Sequence, residues 1–474
     1  MSRILVAATP VAGHHAPLLQ IARHLSGLGH EVVFLGGSRF AAQVEAAGPA
    51  FRALPAEADY DDRDLPARFP GRAAVPAGPA QVLWDVKHIF GDPVPAQLAA
   101  LREALAAFPA SVVIHDNLFL GGVALSLGAE PGDRPAVFGV GISPLGVDSR
   151  DTAPHLLGLL PPADEAERAR YAELAATMAE RAVPLMEHLR GCFAAAGVTL
   201  GEGSLIRHRV QSADLFLQLT VAGFEYPRSD LPGNVRFVGA IPIEGGSGTG
   251  TASGAATGNT PQAPAWWPEL ARARAEGRRV VVVTQGTLAN TALGRLVVPA
   301  LRALADRPDV LVVAATGRPD AAERIAAELP ELPANARVAG FVPFAELLPL
   351  ADLLVTNGGY GGTQAALAHG VPLVVGGDTE DKPEVAARVE WSGTGVNLRT
   401  ADPSDEELRA AVDSVLSTPS YRERAAALAE EYAAHDALAL IDGLVREAAG
   451  PGSGPAAPGP AGTVSDRSDL AKLR

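Results

Sequence analysis

The chain has 474 residues, too many for one ordinary hydrophobic core, so its length points to two or three domains. With 47% hydrophobic residues it can bury large cores, which excludes an intrinsically disordered chain. A formal net charge of -15 argues against nucleic acid or an anionic membrane as a main partner.

The N-terminal stretch "MSRILVAATPVAGHH" lacks the apolar run and cleavage site of a signal peptide. No stretch reaches the roughly 18 to 20 apolar residues that a membrane span needs. The single cysteine, Cys192, cannot form an internal disulfide, which fits a reducing cytosol. A cytoplasmic location is therefore expected.

In chain order, "RILVAAT" (3–9) is a short apolar run, "APLLQIARHLSGLG" (16–29) has helical spacing, and "EVVFLGG" (31–37) is apolar again. The runs "ASVVIHD" (110–116), "PAVFGVG" (135–141), "LFLQLT" (215–220) and "VRFVGAIP" (235–242) continue the pattern. Continuous apolar strands alternating with helices indicate a parallel sheet covered on both faces. The Gly/Ser/Thr-rich stretch 244–265 reads as a flexible linker. Beyond it the pattern restarts with "RRVVVVTQGT" (278–287), "DVLVVAATG" (309–317), "ARVAGFVP" (336–343), "DLLVTN" (352–357) and "VPLVVGG" (371–377). A helical run over 421–448 precedes a Pro/Gly-rich tail expected to be disordered. The expected domains are thus 1–243, a linker 244–265, 266–449 with the terminal helices, and a tail 450–474.

Ligands of open parallel sheets bind beyond the carboxyl ends of the strands. In the first unit, "TPVAGHHAPLL" (9–19) places His14 and His15 at a helix start, where the imidazolium form is disfavoured. Asp116 ends another strand of the same unit, where the two readings are an aspartate that orients an imidazole and a solvated loop residue. In the second unit, "NGGYGGT" (357–363) leads from a strand into a helix whose first free amides favour an anion. The bland reading of these glycines is a tight turn with close helix–sheet packing. The loop is neither a Walker loop nor a dinucleotide fingerprint.

The motifs "GHHAP" (13–17), "HDN" (115–117), "FEYPRSDLP" (224–232), "FVPFAELLPLADLLVTNGGYGGTQAALAHGVPLVV" (341–375) and "DK" (381–382) together resemble the inverting nucleotide-sugar glycosyltransferases of the GT-B fold. That family includes bacterial macrolide and other natural-product enzymes and plant flavonoid enzymes. The resemblance covers nearly all of the chain short of its tail, and its long C-terminal block is the most specific part. It implies an α/β fold of two Rossmann-like doubly wound domains facing each other across a cleft. It also implies transfer of a hexose from a UDP- or dTDP-sugar to a hydroxyl of an apolar small molecule, with no metal and no cofactor beyond the co-substrate. The protein is expected to be a monomer or a homodimer.

Residue by residue, the resemblance makes His14 the general base and Asp116 its partner, with His15 a neighbour. Gly286 and Thr287 match one phosphate-facing loop, and Gly359, Gly361, Gly362 and Thr363 match the other. Phe341 matches the aromatic residue that stacks on the nucleobase, with the Val342 backbone pairing to that base. Asn357 stands where the family has a histidine that donates to the diphosphate; its amide can donate but carries no charge. Ala365, beside Gln364, stands where plant members have a ribose-gripping glutamate, which leaves thymidine-type donors open. Asp381 and Lys382 replace the family's sugar-reading acid–glutamine pair. Lysine occurs elsewhere only at Lys87 and Lys472, and a simple ion pair of Lys382 to Glu380 or Glu384 is the competing reading. Two alternative functions are a nucleotide-sugar epimerase of the same fold and a non-catalytic nucleotide-sugar-binding partner. The stretch 55–95 is expected to line an acceptor pocket.

Overall fold

The computed structural model describes residues 1–76, 78–242, 262–286 and 292–450. Thr287, most of the linker 244–265 and nearly all of the tail lie outside the described residues. The first sheet contains β1 (Arg3–Ala7), β2 (Glu31–Gly36), β3 (Ala50–Ala53), β4 (Val112–Asp116), β5 (Ala136–Gly141), β6 (Leu215–Gln218) and β7 (Val235–Phe237). The second contains β8 (Arg279–Thr284), β9 (Val310–Ala315), β10 (Ala336–Ala339), β11 (Leu353–Thr356), β12 (Leu373–Val375) and β13 (Gly395–Asn397). Their orders are β3-β2-β1-β4-β5-β6-β7 and β10-β9-β8-β11-β12-β13, with every adjacent pair parallel.

Side chains alternate across a strand, so a sheet buried on both faces needs apolar residues at every position. In β1, Leu5 and Ala7 enter one core while Ile4 and Val6 enter another. In β8, Val280 and Val282 enter one core and Val281 and Val283 the opposite one. This is why both strands read as unbroken apolar runs. The expected architecture of two doubly wound parallel-sheet domains is the one observed.

The two units exchange packing elements. Val221 and Phe224, just after β6, are buried in the core of the second unit. Conversely, Ala437, Ile441 and Val445 are buried with Ile4, Leu18 and Ile21 of the first unit. The helical run 421–448 is two helices, Pro419–Ala433 and Ala437–Ala448. Asp436 separates them because its carboxylate accepts from the Ala439 amide at 3.0 Å, a cap that starts a new helix. By packing, the last helix therefore sits with the first unit, whereas the expected boundaries grouped it with the second.

Both sheets reverse direction of strand order at one place: between β1 and β4, and between β8 and β11. Such switch points open a crevice at the carboxyl ends of the strands. His14 and Asp116 lie beyond β1 and β4; Gly286 and Asn357 lie beyond β8 and β11.

Candidate active site

A cavity of about 1470 Å³ lies between the units and has both switch points on its walls. His14 lines it from the first unit; Gly286, Asn357, Gly359, Gly361, Gly362, Asp381 and Lys382 line it from the second. Asp116 stands behind His14 with no exposed surface. Neither Phe341, Val342 nor Thr363 is in the described lining.

His14 lies in the first turn of the helix Ala12–Gly27, and its Nδ1 is 2.7 Å from Asp116 Oδ1. Asp116 also accepts from the Thr9 amide at 2.6 Å, the Thr9 hydroxyl at 3.1 Å and the Leu118 amide at 2.9 Å. Burial alone would raise its pKa, but the His14 ring and these donors outweigh burial and hold it below the usual carboxylate range. An ionised, fixed acceptor of this kind keeps the proton of His14 on Nδ1, leaving the Nε2 lone pair for a substrate.

His15 has a different environment. It is fully buried, stacked on Phe40 at 3.9 Å and edge-on to Phe34, and neither ring nitrogen has a partner among the described residues. Burial, helped by the charge of Arg39 and opposed by Asp116, lowers its pKa to about 3. His15 is a core aromatic, as its role of mere neighbour implies.

On the opposite wall, Gly359 caps the helix Tyr360–Ala368. The first backbone bond inside it runs from the Thr363 amide to the Gly359 carbonyl, 3.0 Å, so the amides before Thr363 have no helical acceptor. Glycine is required nearby: Gly358 has φ +86° and a Cβ there would meet Val375, while one at Gly377 would collide with the Asn357 carbonyl at 2.1 Å. Thr363 is buried behind this turn, with its hydroxyl unpartnered.

Asn357 has a task that the sequence did not show. Its Nδ2 donates to the Gln285 carbonyl at 2.6 Å, which ties the loop after β11 to the loop after β8. Gly286 follows at φ +78°, and a Cβ there would touch the Asn357 amide at 3.4 Å. One Nδ2 hydrogen remains available at the cavity wall.

Asp381 precedes the helix Lys382–Trp391 and makes no side-chain cap. Burial pushes its carboxyl up to about 6, opposed by its own backbone amide and by attraction to His14. Lys382 is 6% exposed, and its stem lies 3.0 Å from the Cβ position of Gly377. The Nζ donates to the Thr379 hydroxyl at 3.2 Å and pairs with Glu380. Burial lowers its pKa to about 8, with Asp378 acting in the other direction. Glu380 has φ +55°, a left-handed backbone that a non-glycine residue seldom adopts, and it turns the chain into this pair.

Phe341 is half-buried after β10, and Val342 is in the second core. The stretch 55–95, expected at the acceptor side, supplies Val82, Val86, Ile89 and Phe90 to the lining from short helical turns and a π-helix over Val86–Gly91. The helix Glu165–Ala195, which packs against that π-helix, adds a mixed lining of alanines with Val183, Leu185 and Met186 and the charged Glu165, Arg168 and Arg190.

Among the described residues, His88, Asp92 and His188 are the group with ligand atoms close enough for a metal, all within 4.8 Å of one another. Both imidazoles already bond the Asp92 carboxylate, at 2.8 and 2.6 Å, and none of the three lines the cavity. No described helix is long and apolar enough to cross a membrane.

A family profile described as "Erythromycin biosynthesis protein CIII-like, C-terminal domain" matches residues 312–441. The chain is 41% identical over 450 residues to 4'-demethylrebeccamycin synthase of Lentzea aerocolonigenes, spanning 94% of this chain and 100% of the relative. It is 39% identical over 453 residues to UDP-glycosyltransferase 2 of Phaeomoniella chlamydospora, spanning 94% and 95% respectively. The solved structure of the kitacinnamycin glycosyltransferase shares the fold, with a TM-score of 0.68 at 22% identity over 94% of this chain and 98% of that one. The chain belongs to the GT-B glycosyltransferase family. It is a glycosyltransferase.

Proposed function

We propose that the enzyme transfers a hexose, with inversion at the anomeric carbon, from a UDP- or dTDP-sugar to a hydroxyl of an apolar small molecule of the natural-product type. The observation that carries this reading is the His14–Asp116 contact of 2.7 Å facing the amide-rich turn at Gly359–Gly362 across one cavity. His14 Nε2 takes the acceptor proton as the oxygen attacks C1 from the face opposite the diphosphate. The new C1–O bond forms while the C1–O bond to phosphate breaks, and the diphosphate leaves with that electron pair. Asp116 stabilises the imidazolium so formed. Main-chain amides at the helix start meet the developing charge on the diphosphate, and the proposed chemistry needs no metal.

Asp381 accepts from hexose hydroxyls in this reading, and Lys382 approaches the same sugar or its β-phosphate. The apolar lining from Val82 to Phe90 and along Glu165–Ala195 supports an apolar acceptor. The naming of the Phaeomoniella relative supports a UDP donor, while Ala365 in place of a ribose-gripping acid keeps dTDP donors in scope.

A screen of UDP- and dTDP-hexoses against phenolic and macrolactone acceptors, read by released diphosphate, tests the reading. Nuclear magnetic resonance of the product's anomeric proton tests inversion. A product that keeps the donor's anomeric configuration, or release of diphosphate with no glycoside formed by any pair, would contradict it.

A further inference from the structure

Five arginines line the cavity: Arg72, Arg150, Arg168, Arg190 and Arg209. Four have partners. Arg72 pairs with Asp85 at 2.8 Å, Arg168 with Asp151 at 3.0 Å and Arg190 with Glu202 at 3.1 Å, while Arg150 donates to the Ser229 hydroxyl at 3.1 Å. Arg209, on the short helix Leu205–Gln211, has no hydrogen bond or ion pair among the described residues, and its Nε is buried without a partner. It lines the same cavity as His14, from the first unit.

A guanidinium carries five donors in a planar fork, and those of Arg209, half-buried at the cavity wall, are unengaged among the described residues. The carboxylates that line the cavity nearby are already engaged: Asp85 by Arg72, Glu165 by Arg168, Glu202 by Arg190, and Asp148 by the Ser204 hydroxyl. No carboxylate among the described residues is paired with Arg209, which leaves its guanidinium open to an anionic ligand. The second-unit loops that meet the donor diphosphate lie on the other wall, so the acceptor is the ligand that reaches Arg209.

We propose that Arg209 is an anion-recognition residue, and that the acceptor is an amphiphilic molecule with an apolar body and one carboxylate held by this guanidinium. The inference rests on the glycosyltransferase reading of the cavity, because it takes the first-unit wall as the acceptor side. A bidentate arginine–carboxylate pair fixes orientation as well as charge. It would hold the acceptor in one register, with a hydroxyl turned toward His14 Nε2.

The test is calorimetric binding of 6-hydroxy-2-naphthoate and of its methyl ester to the full chain, with no donor present. The carboxylate is expected to bind about tenfold or more tighter than the ester, the usual range for a hydrogen bond to a charged group. Arg209→Leu should bind both probes alike, and Arg209→Lys should retain part of the preference. Arg209→Leu removes a half-buried charge that has no partner among the described residues, so it should fold; a circular dichroism melt checks this. No binding of the carboxylate, equal binding of both probes, or a preference that survives Arg209→Leu would overturn the proposal. So would a loss confined to UDP or dTDP affinity, which would assign Arg209 to the donor. Failure to glycosylate either probe would count against the proposed reaction and not against the anion site, since binding is read without turnover.

Discussion

Arg388 of the second unit and Glu225 of the first are joined at 2.9 Å, with each side chain only 1% exposed. The same guanidinium bonds Glu384 at 2.9 Å and the Leu145 carbonyl at 3.0 Å, and it lies 4.4 Å from the Tyr226 ring centre. Glu384 in turn accepts from the Gly158 amide at 3.0 Å. This cluster fixes the helix Lys382–Trp391, whose start carries Asp381 and Lys382, against the first unit. The stretch "FEYPRSDLP" is thus part of the clamp that sets the cavity's width. Replacing Arg388 with methionine would leave two buried carboxylates with only longer side-chain contacts, Glu225 to Arg228 at 3.5 Å and Glu384 to the His155 ring at 3.7 Å. A loss of roughly 3–5 kcal/mol is expected, measured by urea denaturation. A loss under about 1 kcal/mol would show that the cluster is dispensable.

His15 gives a prediction with a defined pH window. Its folded pKa is about 3, against a usual 6.5. Below about 6.5 the unfolded chain takes up a proton that the folded chain refuses until about 3, so stability falls as pH drops through that window. Phenylalanine keeps the stack on Phe40 and removes two unpartnered ring nitrogens. His15→Phe should therefore fold, gain roughly 1–3 kcal/mol, and lose less stability than the parent between about pH 6.5 and 3. Unfolding curves at several pH values decide it. Equal pH slopes for the two proteins would refute the burial argument.

The sequence made much of this legible, for a physical reason. Strands buried on both faces must be continuously apolar, so β1, β4, β8 and β11 could be found, and His14, Gly286 and Asn357 just past their ends line the candidate cavity. His14 and Asp116 are 102 positions apart, yet each ends or follows such a strand. The interdomain clamp was not legible, because a buried ion pair between Glu225 and Arg388, 163 positions apart, leaves no periodic trace. The second half of the run 421–448 was likewise read as continuing one helix, since both parts are amphipathic and only the Asp436 cap divides them. Asn357 was read as facing a ligand; its bond to the Gln285 carbonyl depends on how two loops meet, which spacing cannot show.

Asp381 should confer pH dependence on donor binding. Its carboxyl titrates at about 6 because it is buried. Below that pH it is protonated and loses acceptor strength toward hexose hydroxyls. Affinity for the intact nucleotide sugar should therefore fall as pH drops below about 6, while affinity for the free nucleoside diphosphate stays level. Asp381→Asn should flatten the sugar-dependent part. Parallel pH curves for the sugar nucleotide and the diphosphate would show that Asp381 does not touch the sugar.

Lys382 should govern sugar choice. Its stem covers the glycine turn at Gly358 and Gly377, and its ammonium is held by Thr379 and Glu380 at the cavity wall. Lys382→Gln should change relative kcat/KM among hexose donors by roughly tenfold or more, about 1.4 kcal/mol of differential transition-state binding. An unchanged sugar ranking with weaker diphosphate binding would place the ammonium on the phosphates. A double-mutant cycle with Asn357 would then measure whether it supplies the charge that asparagine lacks.

The central claim is that His14, held by Asp116, is the base that activates the acceptor. Its most direct test compares His14→Ala with the parent by steady-state turnover and by calorimetric titration of the nucleoside diphosphate. Turnover should fall by at least about 10²-fold, while diphosphate affinity stays unchanged, because His14 and the amide-rich turn belong to opposite walls of the cavity. A His14→Ala enzyme that still turns over at the parental rate would contradict the claim.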